Sequence, residues 1–385
     1  MMGAGIKGSV PFIETVFPKP CLGNYTATLP HSEAVASLIG HFPKTRYYGS
    51  KRRLLDWIYH AFKDLPFNTV LDGFGGTASV SLLFKMMGKG VTFHDGLLCN
   101  TISAHALLAD KLPFLNIGEA HSFIDEITPR RGFISKTFAG MYYTDGENRW
   151  LDGAASAIHK IEDPARQGAY LYCLFQACLK KRPFNLFHRA NLNLRLNRQV
   201  HRSFGNYVTW ETPFPDLMKA NLPDVVLAIK PTKLSTIILP PGDISRLDAG
   251  YDLVYLDPPY VNESRNCEDY LTRYHFLEGL SNYASWGKEI NSASSIKALK
   301  QRSYISEWQS KRMFRELLFD LIHVHRQSIV VLSYLAGAYP DEEEITEHFR
   351  NNFQHVRVLR KDFTHALAKE KKIELLFIGS NTCVC

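Results

Sequence analysis

The chain has 385 residues, of which 45% are hydrophobic and 22% are charged, as in an ordinary globular protein. This length allows a full catalytic domain together with a large insertion or a second domain. No apolar run approaches the ~18 residues of a membrane span, and the N-terminus lacks the pattern of a signal peptide, so we expect no membrane partner.

The net charge of +7 favours a polyanionic partner if the positive charge is localised on one part of the protein. The seven cysteines are scattered without paired CxxC knuckles, so neither a disulfide framework nor a zinc site is predicted. We interpret the terminal pair Cys383 and Cys385 as incidental rather than as metal ligands. No metal site is therefore predicted, and a reducing cytoplasm fits best.

Residues 1–40 are rich in Gly, Pro, Ser and Thr, which predicts an N-terminal extension. The stretch 50–63 predicts a helix, because Leu54, Leu55, Ile58 and Phe62 share one face. Residues 68–95 then read as strand, Gly-rich turn, helix and strand, a unit that pairs its strands in parallel. This pattern predicts a doubly wound α/β sheet.

Five further strands are predicted at 235–240, 252–256, 328–334, 355–363 and 373–379, which makes seven. The last two are too close for a crossover helix, so they should form an antiparallel hairpin at the sheet edge. Between 111 and 234 the alternation of strand and helix is lost. We therefore predict an inserted domain at 111–234, within a catalytic domain formed by 41–110 and 235–385.

Within the insert, residues 164–210 contain no Asp or Glu but carry eight Lys or Arg residues and several aromatic and Asn residues. Such side chains bind phosphates and read base edges, so this stretch predicts nucleic-acid binding. The alternative is a basic surface helix with a few core aromatics. The candidate DNA-binding residues are Lys180, Lys181, Arg182, Arg189, Asn191, Arg195, Arg198 and Arg202.

The sequence LDGFGGTASVS places Asp72 at a strand end and Gly73, Gly75 and Gly76 in the turn that follows. Glycines let the backbone approach a ligand, and the helix start near Thr77 favours an anionic group, which together indicate a nucleotide-like cofactor. The spacing matches neither dinucleotide nor phosphate-loop fingerprints. Asp95, at the end of the next strand, is suited to ribose hydroxyls, although a helix N-cap is an equal alternative.

The sequence LVYLDPPYVNE reads as a buried strand that two prolines end. It leaves Asp257, Pro258, Pro259 and Tyr260 at a strand tip, where open α/β sheets bind ligands. Acceptor oxygens there suit an amino group, and the Tyr260 ring suits a flat partner. On its own, the stretch is also compatible with an ordinary strand-ending turn.

Taken in order, six further segments accompany DPPY: YYGSK (47–51), DGFGGTASVS (72–81), the long insert, YHFLEGLSNY (274–283), VVLSY (330–334) and KKIELLFIG (371–379). From about 44 to 380 the chain resembles the Dam-like, alpha-order family of DNA adenine-N6 methyltransferases. The resemblance implies a Rossmann-like class I methyltransferase fold, S-adenosylmethionine as cofactor and double-stranded DNA as partner. It also implies a bacterial cytoplasm or nucleoid location, and leaves open pairing with a restriction endonuclease.

By the same resemblance, Tyr47, Tyr48 and Lys51 lie against the methionine end of the cofactor, and Asp95 binds its ribose. The remaining cofactor residues that it implies are Asp72, Phe74, Gly75, Gly76 and Asp243, the last near the adenine. Ala78 stands where the family often has a further glycine.

The resemblance further implies direct methyl transfer to a flipped adenine, whose amine donates to Asp257 and the Pro258 carbonyl while its ring stacks on Tyr260. A cytosine-N4 enzyme commonly has Ser at position 257. The sequence is also compatible with an RNA or protein amino-methyltransferase and with a non-catalytic DNA-binding relative. We assign His275 no catalytic role, because a structural histidine is at least as well supported.

Overall fold

The computed structural model describes residues 14–17, 39–40, 42–109, 116–197, 199, 207–228, 234–262, 268–364 and 371–382. Arg198, Arg202, Cys383 and Cys385 lie outside the described residues. In chain order the strands are β1 (Glu14–Phe17), β2 (Thr69–Asp72), β3 (Gly90–Phe93), β4 (Thr236–Ile238), β5 (Leu253–Leu256), β6 (Val261–Asn262), β7 (Ile329–Leu335), β8 (Ala338–Tyr339), β9 (His355–Thr364) and β10 (Lys371–Ser380).

The main sheet has the strand order β1-β9-β10-β7-β5-β2-β3-β4, and β6 pairs with β8 separately. Strands β7, β5, β2, β3 and β4 are parallel, and β10 and β9 are antiparallel to their neighbours. All seven predicted strands and the C-terminal hairpin are thus confirmed. Strand β1, which falls in the predicted extension, adds to β9 and takes the edge position.

The central strands are buried on both faces, which explains their continuous apolar runs. Successive residues alternate between two core clusters. Val70, Tyr255 and Val331 belong to one cluster, whereas Val254 and Val330 belong to the other. The sheet is therefore the middle layer between two helical layers.

The helices are α1 (Leu55–Phe62), α2 (Ser79–Met86), α3 (Leu98–Leu107), α4 (Ile117–Asp125), α5 (Phe133–Thr137), α6 (Asp145–Ile158), α7 (Pro164–Lys180), α8 (Leu192–Leu196), α9 (Tyr207–Glu211), α10 (Phe214–Lys219), α11 (Leu222–Ala228), α12 (Tyr270–Ser281), α13 (Trp286–Glu289), α14 (Ser303–Gln309), α15 (Lys311–Val324) and α16 (Glu342–Asn352). The predicted helix at 50–63 is a 3-10 turn, Lys51–Leu54, that continues as α1. Within the described residues no helix has the length and apolar character needed to cross a membrane.

The insert is helical throughout its described residues, from α4 to α11. Its central helix, α7, packs closely on α3 of the catalytic part, since a Cβ placed on Gly168 would lie 3.0 Å from the Ile102 carbonyl oxygen. Buried residues of α7, such as Leu174, belong to the same core cluster as Val70 of the sheet. The insert therefore shares its core with one face of the sheet, and its division as a separate domain stays a prediction.

Candidate active site

The parallel strands β2, β3 and β5 end at a cavity of about 1060 Å³, a figure that includes the part open to solvent. Ligand sites of doubly wound sheets lie at this edge. The cavity brings together segments that are far apart in the chain. The predicted site residues that line it are Tyr47, Tyr48, Lys51, Asp72, Phe74, Gly75, Gly76, Asp95, Asp257, Pro258, Pro259 and Tyr260.

Asp243 lies just outside this group. Its carboxylate accepts a hydrogen bond from the Ser245 backbone N–H at 3.1 Å and lies 3.6 Å from the Arg246 Nε. Its neighbours Gly242 and Ile244 are among the described residues that line the cavity, and Asp243 borders an adjoining pocket instead. A role for Asp243 towards a cofactor therefore stays a prediction.

The Gly-rich turn crosses the tips of β2 and β3. The Gly75 N–H donates to the His94 carbonyl oxygen at 2.9 Å, which holds the turn against β3. A Cβ on Gly75 would lie 2.1 Å from the Phe93 ring, so no larger residue fits there. Ala78 takes a left-handed conformation with φ of 56°, the geometry that a glycine adopts without strain.

Asp72 carries a buried carboxylate at the tip of β2, with the residue 1% exposed. Its Oδ2 accepts from the Ser81 hydroxyl at 2.6 Å, whereas its Oδ1 has no hydrogen-bond partner among the described residues. Burial raises the pKa of Asp72 to about 7. A cationic or N–H group in the cavity would supply the partner that Oδ1 needs.

Asp95 holds the turn and the next helix together. It accepts hydrogen bonds from the Gly76 N–H at 2.9 Å, the Leu97 N–H at 2.8 Å and the Asn100 side chain at 3.0 Å. Burial raises the pKa of Asp95, although these donors oppose the shift. The N-cap of α3 is Leu97, without a side-chain cap, so the N-cap alternative for Asp95 is wrong. The carboxylate lines the cavity and holds the chain that leads into α3, and its role towards a ribose stays a prediction.

Lys51, Asp257, Tyr260 and Glu374 form a buried charge cluster at the DPPY turn. The Lys51 Nζ lies 2.9 Å from Asp257 Oδ1, 2.9 Å from Glu374 Oε1 and 2.5 Å from the Tyr260 hydroxyl. The single hydrogen of the Tyr260 hydroxyl is shared between two acceptors, since the hydroxyl oxygen lies 3.1 Å from Asp257 Oδ1 and 3.0 Å from Glu374 Oε1. Two carboxylates therefore share one ammonium group.

Burial and the charge of Glu374 raise the pKa of Asp257 to about 6 against the opposing effect of Lys51. Burial alone would lower the pKa of Lys51, but Asp257 and Glu374 outweigh it and hold that pKa above its usual value. At neutral pH the cluster thus keeps an ionised Lys51 beside an ionised Asp257.

Glu374 is the residue that we did not predict. It lies on β10, its side chain is 1% exposed, and it also accepts from the Ser333 hydroxyl at 2.6 Å. The sequence offers one signal, an acid within the apolar strand IELLFIG. A Glu in such a strand is buried only when it has a partner or a function there.

Three tyrosines form a stacked wall beside the cavity. The Tyr47 ring lies 4.4 Å from Tyr274 and 5.7 Å from Tyr270, with interplanar angles of 9° and 11°. The Tyr274 hydroxyl accepts from the Tyr48 backbone N–H at 2.7 Å. The wall therefore fixes the 47–48 segment against α12.

His275 has a structural position. It is fully buried, and its Nε2 lies 2.9 Å from the Tyr142 hydroxyl. Burial lowers the pKa of His275 to about 3, so the ring is neutral at physiological pH. These contacts agree with the interpretation of His275 as a structural histidine.

Three of the predicted DNA-binding residues lie in the protein interior. Lys181, Arg182 and Arg195 are 1%, 2% and 7% exposed, respectively. The Lys181 Nζ lies 3.0 Å and an Arg195 Nη 2.6 Å from a Glu147 carboxylate oxygen. Arg182 donates to the carbonyl oxygens of Leu186 and Arg189. These buried charges hold the insert together, which corrects their assignment as phosphate ligands.

Arg189 is exposed and Asn191 is half-buried, so both remain accessible to a ligand. Lys180 is half-buried, and its Nζ donates to the Asn221 side chain at 2.5 Å. Between Lys180 and Arg189 in the chain, Phe184 and Asn185 are two successive non-glycine residues in the left-handed region, with φ of 60° and 58°. The Phe184 side chain is 38% exposed. Strain of this kind concentrates at functional sites.

The strained turn lies next to elements of the cavity. An Arg46 Nη donates to the Asn185 side chain at 3.3 Å, and the Phe187 N–H donates to the Arg273 carbonyl oxygen at 2.9 Å. Arg46 adjoins the cavity residue Tyr47, and Arg273 belongs to α12. The strained turn therefore adjoins two segments that border the cavity.

Comparisons with known proteins identify a family and a relative of this chain. The family model described as D12 class N6 adenine-specific DNA methyltransferase matches residues 47–329. The chain is also 25% identical over 351 residues to the Type II methyltransferase M2.HphI of Haemophilus parahaemolyticus. That alignment covers 88% of this chain and 98% of the relative. Glu374 lies beyond the residues that the family model matches.

Proposed function

Because the chain belongs to the D12 class of N6 adenine-specific DNA methyltransferases, we propose that it transfers the methyl group of S-adenosylmethionine to an adenine flipped out of duplex DNA. The observation that carries this proposal is the buried pair of Lys51 and Asp257, 2.9 Å apart, in the same cavity as Asp72 and the Gly-rich turn. One cavity thereby offers acceptors for a cofactor and for an amine.

The cofactor part of the proposal is supported by the chemistry of the turn. Asp72 Oδ1 is a buried acceptor without a described partner, and an ammonium group is a suitable donor for it. Gly75 lets the turn pack closely over the Phe93 ring at the edge of the cavity, and the tyrosine wall offers flat apolar surface. When bound, S-adenosylmethionine supplies a methyl group on a positively charged sulfur.

Asp257 is the proposed acceptor for the adenine amine. Among the described residues, both of its side-chain partners, Lys51 and Tyr260, contact Oδ1, so we assign Oδ2 and the Pro258 carbonyl to the two amine hydrogens. Accepting both hydrogens favours a more tetrahedral nitrogen, whose lone pair is then available for attack. The proton that leaves the methylated nitrogen passes to solvent.

Tyr260 has a fixed orientation that suits stacking. Its hydroxyl is held by Lys51, Asp257 and Glu374, so the ring is positioned before a base arrives. A base stacked on a ring that is already ordered loses less entropy on binding. Stacking and hydrogen bonds then offset the few kcal/mol that unpairing the base costs.

The strained turn at Phe184 and Asn185 is the proposed DNA contact nearest to the cavity. An exposed aromatic side chain at this place is suited to fill the space that a flipped base leaves in the duplex. Arg189 and Asn191 follow on the accessible surface and are the proposed contacts to phosphate or base edges. Pairing with a restriction endonuclease stays a prediction, since only the relative is named a Type II methyltransferase.

Mapping methylated bases in DNA from cells that express the chain tests the proposal. We expect N6-methyladenine at one short sequence with the native chain and none with Asp257→Ala. In vitro, Asp257→Ala should bind S-adenosylmethionine within a few-fold of the native chain, because Asp257 is assigned to the amine rather than to the cofactor. Near-native turnover by Asp257→Ala on its cognate DNA would show that the amine acceptor is another group.

A further inference from the structure

We propose that Glu374 is a positioning residue of this enzyme, which holds Lys51 and Tyr260 so that Asp257 presents one carboxylate oxygen to the target amine. The inference rests on the proposed function, because it takes the adenine amine as the ligand of Asp257. It adds a residue from the C-terminal hairpin to a site otherwise built from the parallel strands and their turns.

One oxygen of Glu374 collects three donors. Oε1 accepts from the Lys51 Nζ at 2.9 Å, the Tyr260 hydroxyl at 3.0 Å and the Ser333 hydroxyl at 2.6 Å. A carboxylate buried to this degree is stable only when it is paired and hydrogen-bonded. Glu374 is not among the described residues that line the cavity, so it acts through its partners.

The partners of Glu374 are also the partners of Asp257. Lys51 and Tyr260 each bridge Asp257 Oδ1 and Glu374 Oε1, which gives two parallel connections between the carboxylates. Without Glu374, the ammonium and the hydroxyl would have Asp257 as their one carboxylate partner in the cluster. Both groups would then be free to rotate about Asp257, and the orientation of Oδ2 would be less defined.

Glu374 also sets how strongly Asp257 accepts a hydrogen bond. The single charge of Lys51 is shared between the Asp257 and Glu374 side chains, so Asp257 keeps more negative charge for the amine. Besides Glu374, several titratable groups shift the pKa of Asp257 or have their own pKa shifted by it. They are Lys51, Tyr260, Asp72, Tyr255 and Tyr270. Of all these, Glu374 is the acid in contact with the same ammonium group.

The first test is Glu374→Gln, which keeps the size and an acceptor oxygen but removes the charge. At saturating cofactor we expect kcat to fall about 10- to 100-fold, the loss that misplacement of a reacting group causes, with KM for DNA within about twofold. Activity needs ionised Asp257, so it rises with pH through the pKa of that group. Removing the neighbouring negative charge should move this acidic limb of kcat to lower pH.

A purely structural role would lower the amount of active enzyme and leave the acidic limb in place. The matched control is Glu344→Gln, which makes the same change in a Glu paired with Arg315 outside the cavity lining. We expect both kcat and the acidic limb of this variant to equal those of the native chain.

The second test is a double-mutant cycle with Lys51→Met, which remains informative if Glu374→Gln folds poorly. Because Lys51 is one of the two groups through which Glu374 acts, Glu374→Gln should lower kcat less in the Lys51→Met background than in the native chain. The double variant should also unfold at a higher temperature than Lys51→Met, since it buries one carboxylate without an ion pair, Asp257, instead of two. If the two substitutions instead lower kcat independently, so that the loss in the double variant is the product of the two single losses, the proposal is overturned.

Failure of this inference is distinguishable from failure of the proposed function. If the native chain methylates adenine and Asp257→Ala does not, the proposed function stands. If Glu374→Gln then keeps the native kcat and the native acidic limb, Glu374 does not position Asp257. If the native chain methylates no adenine, the proposed function fails, and the inference fails with it.

Discussion

Asp72 combines a buried carboxylate with one oxygen that lacks a partner among the described residues, so we expect the binding of a cationic ligand at this oxygen to depend on pH. Its pKa is raised to about 7, so below that pH the group is mostly protonated and neutral. A neutral carboxyl attracts an ammonium group far less than a carboxylate does. The residue is therefore suited to bind the cofactor at neutral pH and above.

We predict that the affinity for S-adenosylmethionine rises about tenfold between pH 6 and pH 8, as a group with a pKa near 7 becomes ionised over that range. Titration calorimetry at both pH values measures this directly. Asp72→Asn is the control, and it should bind weakly with little dependence on pH. Equal native affinity at pH 6 and pH 8 would contradict the assignment of Asp72.

At the scale of secondary-structure elements, the Gly-rich turn packs so closely that a side chain at Gly73 or Gly75 would overlap its neighbours. Gly75 is the tightest point, because its Cβ would overlap the Phe93 ring at 2.1 Å. A turn displaced by such an overlap no longer follows the strand tips that position Asp72. Cofactor binding and turn geometry are thus linked.

We predict that Gly75→Ala weakens cofactor binding at least tenfold and lowers the melting temperature, since overpacking a tight site costs about 1 to 3 kcal/mol. Gly146→Ala is the matched control, because it lies in α6 and a Cβ there meets no atom within 4 Å. Calorimetry and thermal unfolding of both variants measure the difference. Native affinity in Gly75→Ala would show that the turn does not contact the cofactor.

The basic stretch divides into interior and accessible charges, and substitutions should separate the two. We predict that Arg189→Ala weakens DNA binding and reduces the slope of log affinity against log salt by about 0.9, the value for one lost phosphate contact. Arg182→Ala should instead lower stability by about 1 to 3 kcal/mol, because it leaves buried carbonyl oxygens without a donor. Salt-dependent binding and chemical denaturation measure the two effects.

If the Arg182→Ala variant is as stable as the native chain and its DNA affinity depends less on salt, Arg182 contacts DNA after all. An Arg189→Ala with native affinity and slope would place the DNA contact elsewhere in the insert.

The elements themselves were predictable from local patterns, whereas burial of charge was not. Apolar runs such as Leu253–Leu256 identify strands because a parallel sheet buries both faces of them. The interior position of Lys181 and Arg195 depends on Glu147, which lies outside the acid-free stretch and meets them only in the folded chain. Counting charges along one stretch of the sequence does not reveal a partner from another stretch.

The candidate site shows the same limit. Lys51, Asp72 and Asp257 are predictable because each stands in a short segment with its own pattern. Glu374 also stands in such a segment, but its role depends on three contacts from distant parts of the chain. The left-handed backbone at Phe184 and Asn185 gives no signal in the sequence, because neither residue favours that conformation enough to predict it.

At the scale of the whole molecule, the insert and the sheet share one core. Buried residues of the insert, including Tyr143 and Leu174, belong to the cluster that covers Val70 and Val331 of the sheet. Separating the two parts would expose this apolar surface to water, which is unfavourable. The two parts should therefore stabilise each other.

We predict that the chain unfolds in one cooperative transition. Circular dichroism, which reports mostly the helices, and near-ultraviolet absorbance of the buried tyrosines should give coincident melting curves. Addition of S-adenosylmethionine is the control, and it should shift both curves equally. Two separate transitions would show that the insert is an independent domain, as its boundaries in the sequence suggest.

The charge cluster joins Lys51, near the start of the described chain, to Glu374, near its end. A ribosome makes Lys51 well before Glu374, so β10 enters the sheet after the described strands that precede it in the chain. Until it does, the Lys51 ammonium lacks one of its two carboxylates, and the Tyr260 hydroxyl lacks one of its acceptors. A nascent chain thus carries the Gly-rich turn and the DPPY turn before β10 has been made, and the charge cluster is complete only once β10 has joined the sheet.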